Sequence, residues 1–249
     1  MGLHLCYELD LARDLFFADV AERVRELHRA AVTLPFDMVG PLVQIKEGES
    51  LDDESDSDSG LASFIRFCAQ SRLDPRDPVT GARIDVLPNA VGFAVNAGEG
   101  CETATFGVAW VPPSDEDGNR LRDEPYIWHW HAVPKTQYAS VLGDDHLIRC
   151  HTSLVALLDK AAELGFDVTV RDETHYWETR DTNVLLSEVR EMNRIVAHFA
   201  GNFHDALREH GNVGGAIFDH PDFEELETRD GPDEREQRLD DSRSRGTSP

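Results

Sequence analysis

The densest run of side chains capable of chemistry is YIWHWHAVPKTQY, residues 126–138. On a strand, side chains alternate between faces, so His129 and His131 share one face while Trp128 and Trp130 share the other. Two imidazoles at alternate positions can chelate a divalent metal, provided other residues complete the site. None of the residues that follow directly (Ala132, Val133, Pro134, Lys135, Thr136) is a good metal ligand, so any third donor must come from elsewhere in the chain. His151 is the first candidate, and His175 and Glu178, just beyond the strand at 166–170, are the others. His151 lies on a helical stripe with Leu147, Leu154, Val155 and Leu158, which aims it at the sheet. The structural alternative for His151 is a core histidine satisfied by one hydrogen bond.

A second candidate depends on topology. If the strands at 125–133 and 166–170 are joined by a right-handed helical crossover, they run parallel and their C-terminal ends lie on one edge of the sheet. That edge would gather Lys135 and Tyr138 with Asp172, Glu173 and His175. Lys135, Glu173 and His175 could then act in acid–base chemistry or anchor a substrate, and an ordinary ion pair is the alternative. The other histidines suggest less. His4 and His28 have no partner nearby in sequence, and His198, His204 and His210 are spaced by six and twelve along one helix, which does not align them as ligands. Cys6, Cys68, Cys101 and Cys150 form no CxxC pair and read as reduced structural residues.

The elements that would position these residues follow from periodicity. Leu3, Leu5, Tyr7 and Leu9 alternate with His4, Cys6, Glu8 and Asp10, which predicts a first strand with one apolar face. A helix begins near Asp14 or Asp19, carries Val20, Val24, Leu27, Ala31 and Leu34, and stops at Pro35. Residues 38–45 read as a strand that Pro41 confines to an edge or a bulge. The segment 61–70 fits a helix or a strand, and 71–89 reads as loop with a short strand near Ile84–Leu87. Three strands follow at 90–98, 102–111 and 125–133. Then come a helix from Asp144 or Asp145 to Leu164, a strand at 166–170, and a long helix from Asp181 to Gly211. LHRAAVTLPFDMV (27–39) and LDKAAELGFDVTV (158–170) resemble each other with one gap, each passing from helix to strand. Shared turn requirements and an ancient duplication both account for this.

These elements predict an α+β domain over 1–218: a mixed, largely antiparallel sheet with helices on one face, and two β-α-β units flanking a β-meander. The 249-residue chain holds 24 Lys+Arg against 48 Asp+Glu, a net charge of −24. Residues 47–60 carry −7 and residues 219–249 carry −6, leaving −11 for the remainder. The first segment is expected to be a mobile acidic insertion and the second a disordered tail. The charge argues against nucleic acid or an anionic membrane as partner. The opening MGLHLCYELDL is too polar for a signal peptide, so a cytoplasmic location is expected. Two functions remain open. One is a non-catalytic module binding a protein or a small molecule; the other is a hydrolase-like enzyme using a divalent metal at His129 and His131, or the Lys135/Glu173 edge.

Overall fold

The structure is a computed structural model that describes residues 3–47, 60–71, 88–113 and 124–207, without the side chains of 70–71 and 199–207. Most of the acidic 47–60 segment, the strand expected near Ile84–Leu87, the helix end at Gly211 and the 219–249 tail lie outside the described residues.

The first strand, β1 (Leu5–Leu11), alternates as its sequence dictates: Leu5, Tyr7, Leu9 and Leu11 are buried, while Cys6, Glu8 and Asp10 face outward and are only partly covered. Helix α1 (Phe17–Thr33) buries Val20, Val24, Leu27 and Ala31 along one stripe and ends just before Pro35. The expected edge strand is split in two, β2 (Met38–Val39) and β3 (Val43–Ile45), and both pair with one neighbour. Pro41 falls in the break between them, as a residue without an N–H requires.

Helix α2 (Gly60–Ser71) resolves the ambiguous 61–70 segment, with Ala62, Ile65 and Ala69 buried. The meander follows as β4 (Ala90–Asn96), β5 (Ala104–Val111) and β6 (Ile127–Ala132). A 3-10 turn (Gln137–Leu142) leads into α3 (Asp144–Glu163), then β7 (Asp167–Asp172), the short α4 (Tyr176–Thr179) and α5 (Thr182–Leu207). Gly143 and Gly165 bracket α3 at φ of 102° and 85°, a region a β-carbon disfavours.

The strands form one seven-stranded sheet in the order β2-β4-β5-β6-β1-β7, with β3 also on β4. Among the described residues every pairing is antiparallel, so the α+β class holds while the expected mixture of parallel neighbours is not seen among them. Strands β6 and β7 do run in the same direction, because β1 lies between them and is antiparallel to both.

Helices α1 and α3 cover one face of the sheet. Phe93 meets the His28 ring of α1 edge-on at 4.9 Å, and Tyr7, Phe106 and Phe93 stack in sequence beneath. Helix α2 corrects the expectation that all helices share that face. Its Ile65 lies over Gly92, the neighbour of Phe93, and successive strand residues point to opposite faces. Small residues permit this close approach: Gly92 and Gly107 are paired across β4 and β5, and Ala94 and Ala109 lie on the same face. Over β6, β1 and β7 no described helix covers that second face, and it carries polar side chains.

Candidate functional site

The open face is assembled by register. Pairing of β1 with β6 sets Glu8 opposite His131 and Asp10 opposite His129. Pairing with β7 sets Glu8 opposite Thr169 and Asp10 opposite Asp167. Alternation then brings Cys6, Glu8, Asp10, His129 and His131 onto one surface, all partly covered.

The His129 Nδ1 lies 2.8 Å from Asp10 Oδ1. Glu8, Asp10 and His129 each offer a ligand atom, and these three atoms lie within 4.8 Å of one another. Two donors bound at about 2.1 Å to one octahedral ion are about 3 Å apart, so the Asp10–His129 spacing already suits a shared cation. The two carboxylates and one imidazole form a mainly hard donor set, matched to manganese, magnesium or zinc rather than to a thiophilic ion. His131 points the same way but is engaged differently, with its Nε2 3.5 Å from Cys6 Sγ. A Cys–His pair is the skeleton of a thiol nucleophile. Here burial, and then the charge of Glu8, push the Cys6 thiol up, opposite to what an activated thiolate requires.

Beside this cluster the sheet opens. The ladder between β5 and β6 is formed by residues 109–111 with 127–129. Further along, the Thr105 carbonyl instead accepts the Tyr7 hydroxyl at 2.8 Å and the Trp130 indole N–H at 3.0 Å. A groove of about 620 Å³ lies there, between Phe64 and Cys68 of α2, Cys101 and Thr105, and His131 and Pro134. Its size suits a small ligand.

His151 lies elsewhere. It projects from α3 on the helix-covered side, 1% exposed, with Nδ1 2.8 Å from Thr136 Oγ1 and Nε2 3.1 Å from Asp172 Oδ2. Asp172 also accepts the Thr174 hydroxyl and N–H and the Trp177 N–H. Burial alone would raise the Asp172 pKa, but His151 and Thr174 outweigh it and hold the carboxyl at about 2. Both ring nitrogens are thus engaged, one by the Asp172 carboxylate and one by the Thr136 hydroxyl, and neither is left for a metal. Hydroxyl, imidazole and carboxylate stand in the order of a nucleophile relay, yet Thr136, Asp172 and Thr174 are each 3% exposed. This buried network ties α3, β7 and α4 together. An apolar stripe interrupted by one histidine foretold a partner; nothing in the sequence told which.

The edge residues do gather at one end of the sheet, but each has its own partner. Lys135 Nζ pairs with Glu102 Oε1 at 3.5 Å, and the two residues exchange backbone contacts. Glu173 faces His4 instead, with Oε2 3.0 Å from both the His4 N–H and Nδ1. Burial opposes ionisation of Glu173, but these His4 contacts prevail and lower its pKa. The start of β1 separates the two pairs, since the Leu5 N–H bonds the Pro134 carbonyl while His4 bonds Glu173. His175 is exposed and takes a left-handed φ of 57° at the start of α4. Glu8 and Asp10 were absent from the sequence candidates. The signal that could have named them is that two strands with one polar face each must turn those faces to the same side when they pair.

Among the described residues, no helix is long and apolar enough to cross a membrane. No protein-family model, curated protein or solved structure matches the chain, so the open face is interpreted from its own geometry.

Proposed function

We propose that the chain is a ligand-binding α+β module that holds a divalent cation at Glu8, Asp10 and His129 and receives a small ligand in the adjoining groove. The observation that carries this is the 2.8 Å approach of Asp10 to His129 across two paired strands, with Glu8 in reach on the same face. His131, from the sequence candidates, would border the site and line the groove. His151 has both ring nitrogens engaged in a sealed network, which supports a structural role for it.

The test is elemental analysis and calorimetry on untagged protein. One equivalent of manganese or zinc is expected to bind, and His129→Ala and Asp10→Asn should each weaken it at least about tenfold, the scale of losing one ligand or its orienting partner. Equal binding by wild type and His129→Ala, or none by wild type, overturns the proposal.

The hydrolytic reading has one supporting observation: three protein ligands leave coordination positions for water beside a groove. Metal-dependent cleavage of a chromogenic phosphate or carboxylic ester, lost in Asp10→Asn, would favour it over binding alone. The Lys135/Glu173 edge has less support, because Glu102 and His4 already partner its two main members.

A further inference from the structure

The two edges of the sheet are protected unequally. At one end the chain is broken into β2 and β3, of two and three residues, with Pro41 in the break. Short pieces and a proline keep an edge from pairing with another chain. At the other end β7 runs unbroken for six residues, and among the described residues only β1 pairs with it. The register shows which groups face the free side. The Glu173 N–H bonds the His4 carbonyl at 3.1 Å, and the same ladder continues from Leu5–Asp172 to Asp10–Asp167. Bonded pairs alternate along an antiparallel ladder, so Asp167, Thr169 and Arg171 turn their main-chain groups to β1. Val168 and Val170 turn their N–H and C=O groups to the free edge. The side chains of Asp167, Thr169 and Arg171 are exposed on the open face. Within the chain Asp167 stands opposite a like charge, Asp10, and Arg171 stands opposite Cys6.

We propose that β7 pairs with the β7 of a second copy of this chain, antiparallel and about a two-fold axis through Thr169. With that axis Val168 exchanges main-chain bonds with the partner's Val170, and Val170 with the partner's Val168, so the outward groups of both are satisfied. The same register sets Asp167 directly opposite the partner's Arg171, and Arg171 opposite the partner's Asp167. These fall at non-bonded positions, where Cα atoms approach to about 4.5 Å and side chains interact most closely. Neighbouring registers fit less well. An axis through Val170 sets Asp167 against the partner's Glu173, two like charges. An axis through Val168 leaves Arg171 opposite the partner's Gly165, beyond the end of the strand. The strand is therefore complementary to itself, as a two-fold interface requires. An axis perpendicular to the sheet keeps both open faces on one side, so the joined sheet carries two copies of the Glu8, Asp10 and His129 cluster. The pairing itself does not depend on a metal.

The experiment is sedimentation equilibrium of the full chain, with chelator present so that no metal bridges two copies. Wild type is expected to form a dimer and no larger species, because the pairing uses up the one long edge. Asp167→Arg sets arginine against arginine across the axis, and Arg171→Asp sets aspartate against aspartate. Each should weaken dimerisation at least about tenfold. Mixing these two variants restores opposite charges at both positions, so the mixture should form a heterodimer about as tight as the wild-type dimer. One chain carrying both substitutions should likewise pair with itself. Both side chains are exposed, so neither substitution disturbs the core, and recovery in the mixture shows that each variant is folded. A wild type that stays monomeric up to its solubility limit overturns the proposal, as does a dimer that the single variants leave unchanged. Failure of the mixture and of the double variant to recover, when their circular dichroism matches wild type, overturns it as well.

Discussion

Asp172 concentrates more of the fold's polar energetics than any other described carboxylate. Four donors converge on it, and its side chain has no exposed surface. Its pKa of about 2 in the folded chain lies below the ordinary 3.8. A carboxyl depressed by folding stabilises the native state above its unfolded pKa, and that stabilisation disappears as pH falls through the folded value. The window is therefore pH 4 down to 2, and the contribution is about 2 kcal/mol. Chemical denaturation of the wild type across pH 2–6 should show this loss, while Asp172→Asn, which has no charge to protonate, should show a shallower decline. Parallel curves for the two proteins would mean that the carboxylate is not ionised in the network. Tyr176 meets the His151 ring edge-on at 5.6 Å, so fluorescence of the nearby Trp177 offers a local reporter of the same transition.

At the scale of elements, the sheet works by dividing its two faces. Strands β4 and β5 alternate large and small: Val91, Phe93, Phe106 and Val108 face α1, while Gly92 and Gly107 admit α2. A β-carbon on Gly107 would stand 2.4 Å from the Val91 carbonyl and 2.6 Å from Gly92 Cα, and neither backbone atom can yield cheaply. Gly107→Ala should therefore destabilise by about 2 kcal/mol and lower the melting temperature by roughly 5 °C. Gly60→Ala, where a β-carbon meets nothing, is the neutral control, and equal melting of the two variants would refute the packing account. The helix pair is held by a reciprocal clasp. Arg23 of α1 reaches the Leu164 and Gly165 carbonyls after α3, and Arg149 of α3 reaches the Pro35 carbonyl after α1. Pro35 and Gly165 occupy matching places in the repeated L-(P/G)-F-D turn, so the sequence echo marks the two points where antiparallel helices grip each other. The individual strands and helices were legible because each is a local periodicity. The face given to α2 was not, since LASFIRFCAQ has apolar residues all round and only the paired glycines of distant strands make a seat for it. The cluster of candidate ligands was half legible. HxH announces itself within one strand, but Glu8 and Asp10 join it only through a register linking residues more than a hundred positions apart.

Across the whole molecule the charge of −24 is distributed unevenly. Residues 47–60 and 219–249 account for −13, and the rest of the chain for −11. On the sheet itself Glu8, Asp10 and Asp167 adjoin one another, with Arg171 alone among the basic residues of β7. Such a face attracts cations, which accords with the proposed divalent-ion site. The same self-repulsion acts against the compact state, and salt screens it over a Debye length of about 10 Å at 0.1 M. Removing residues 219–249 takes away −6 and, if the folded domain ends before them, takes away no core. The shortened chain should then melt slightly higher than the full chain at about 10 mM salt and together with it at about 0.5 M, where the repulsion is screened. Thermal unfolding at the two salt concentrations separates charge from packing. If the shortened chain melts several degrees lower at both, residues 219–249 contribute contacts to the fold, and the domain extends beyond residue 218.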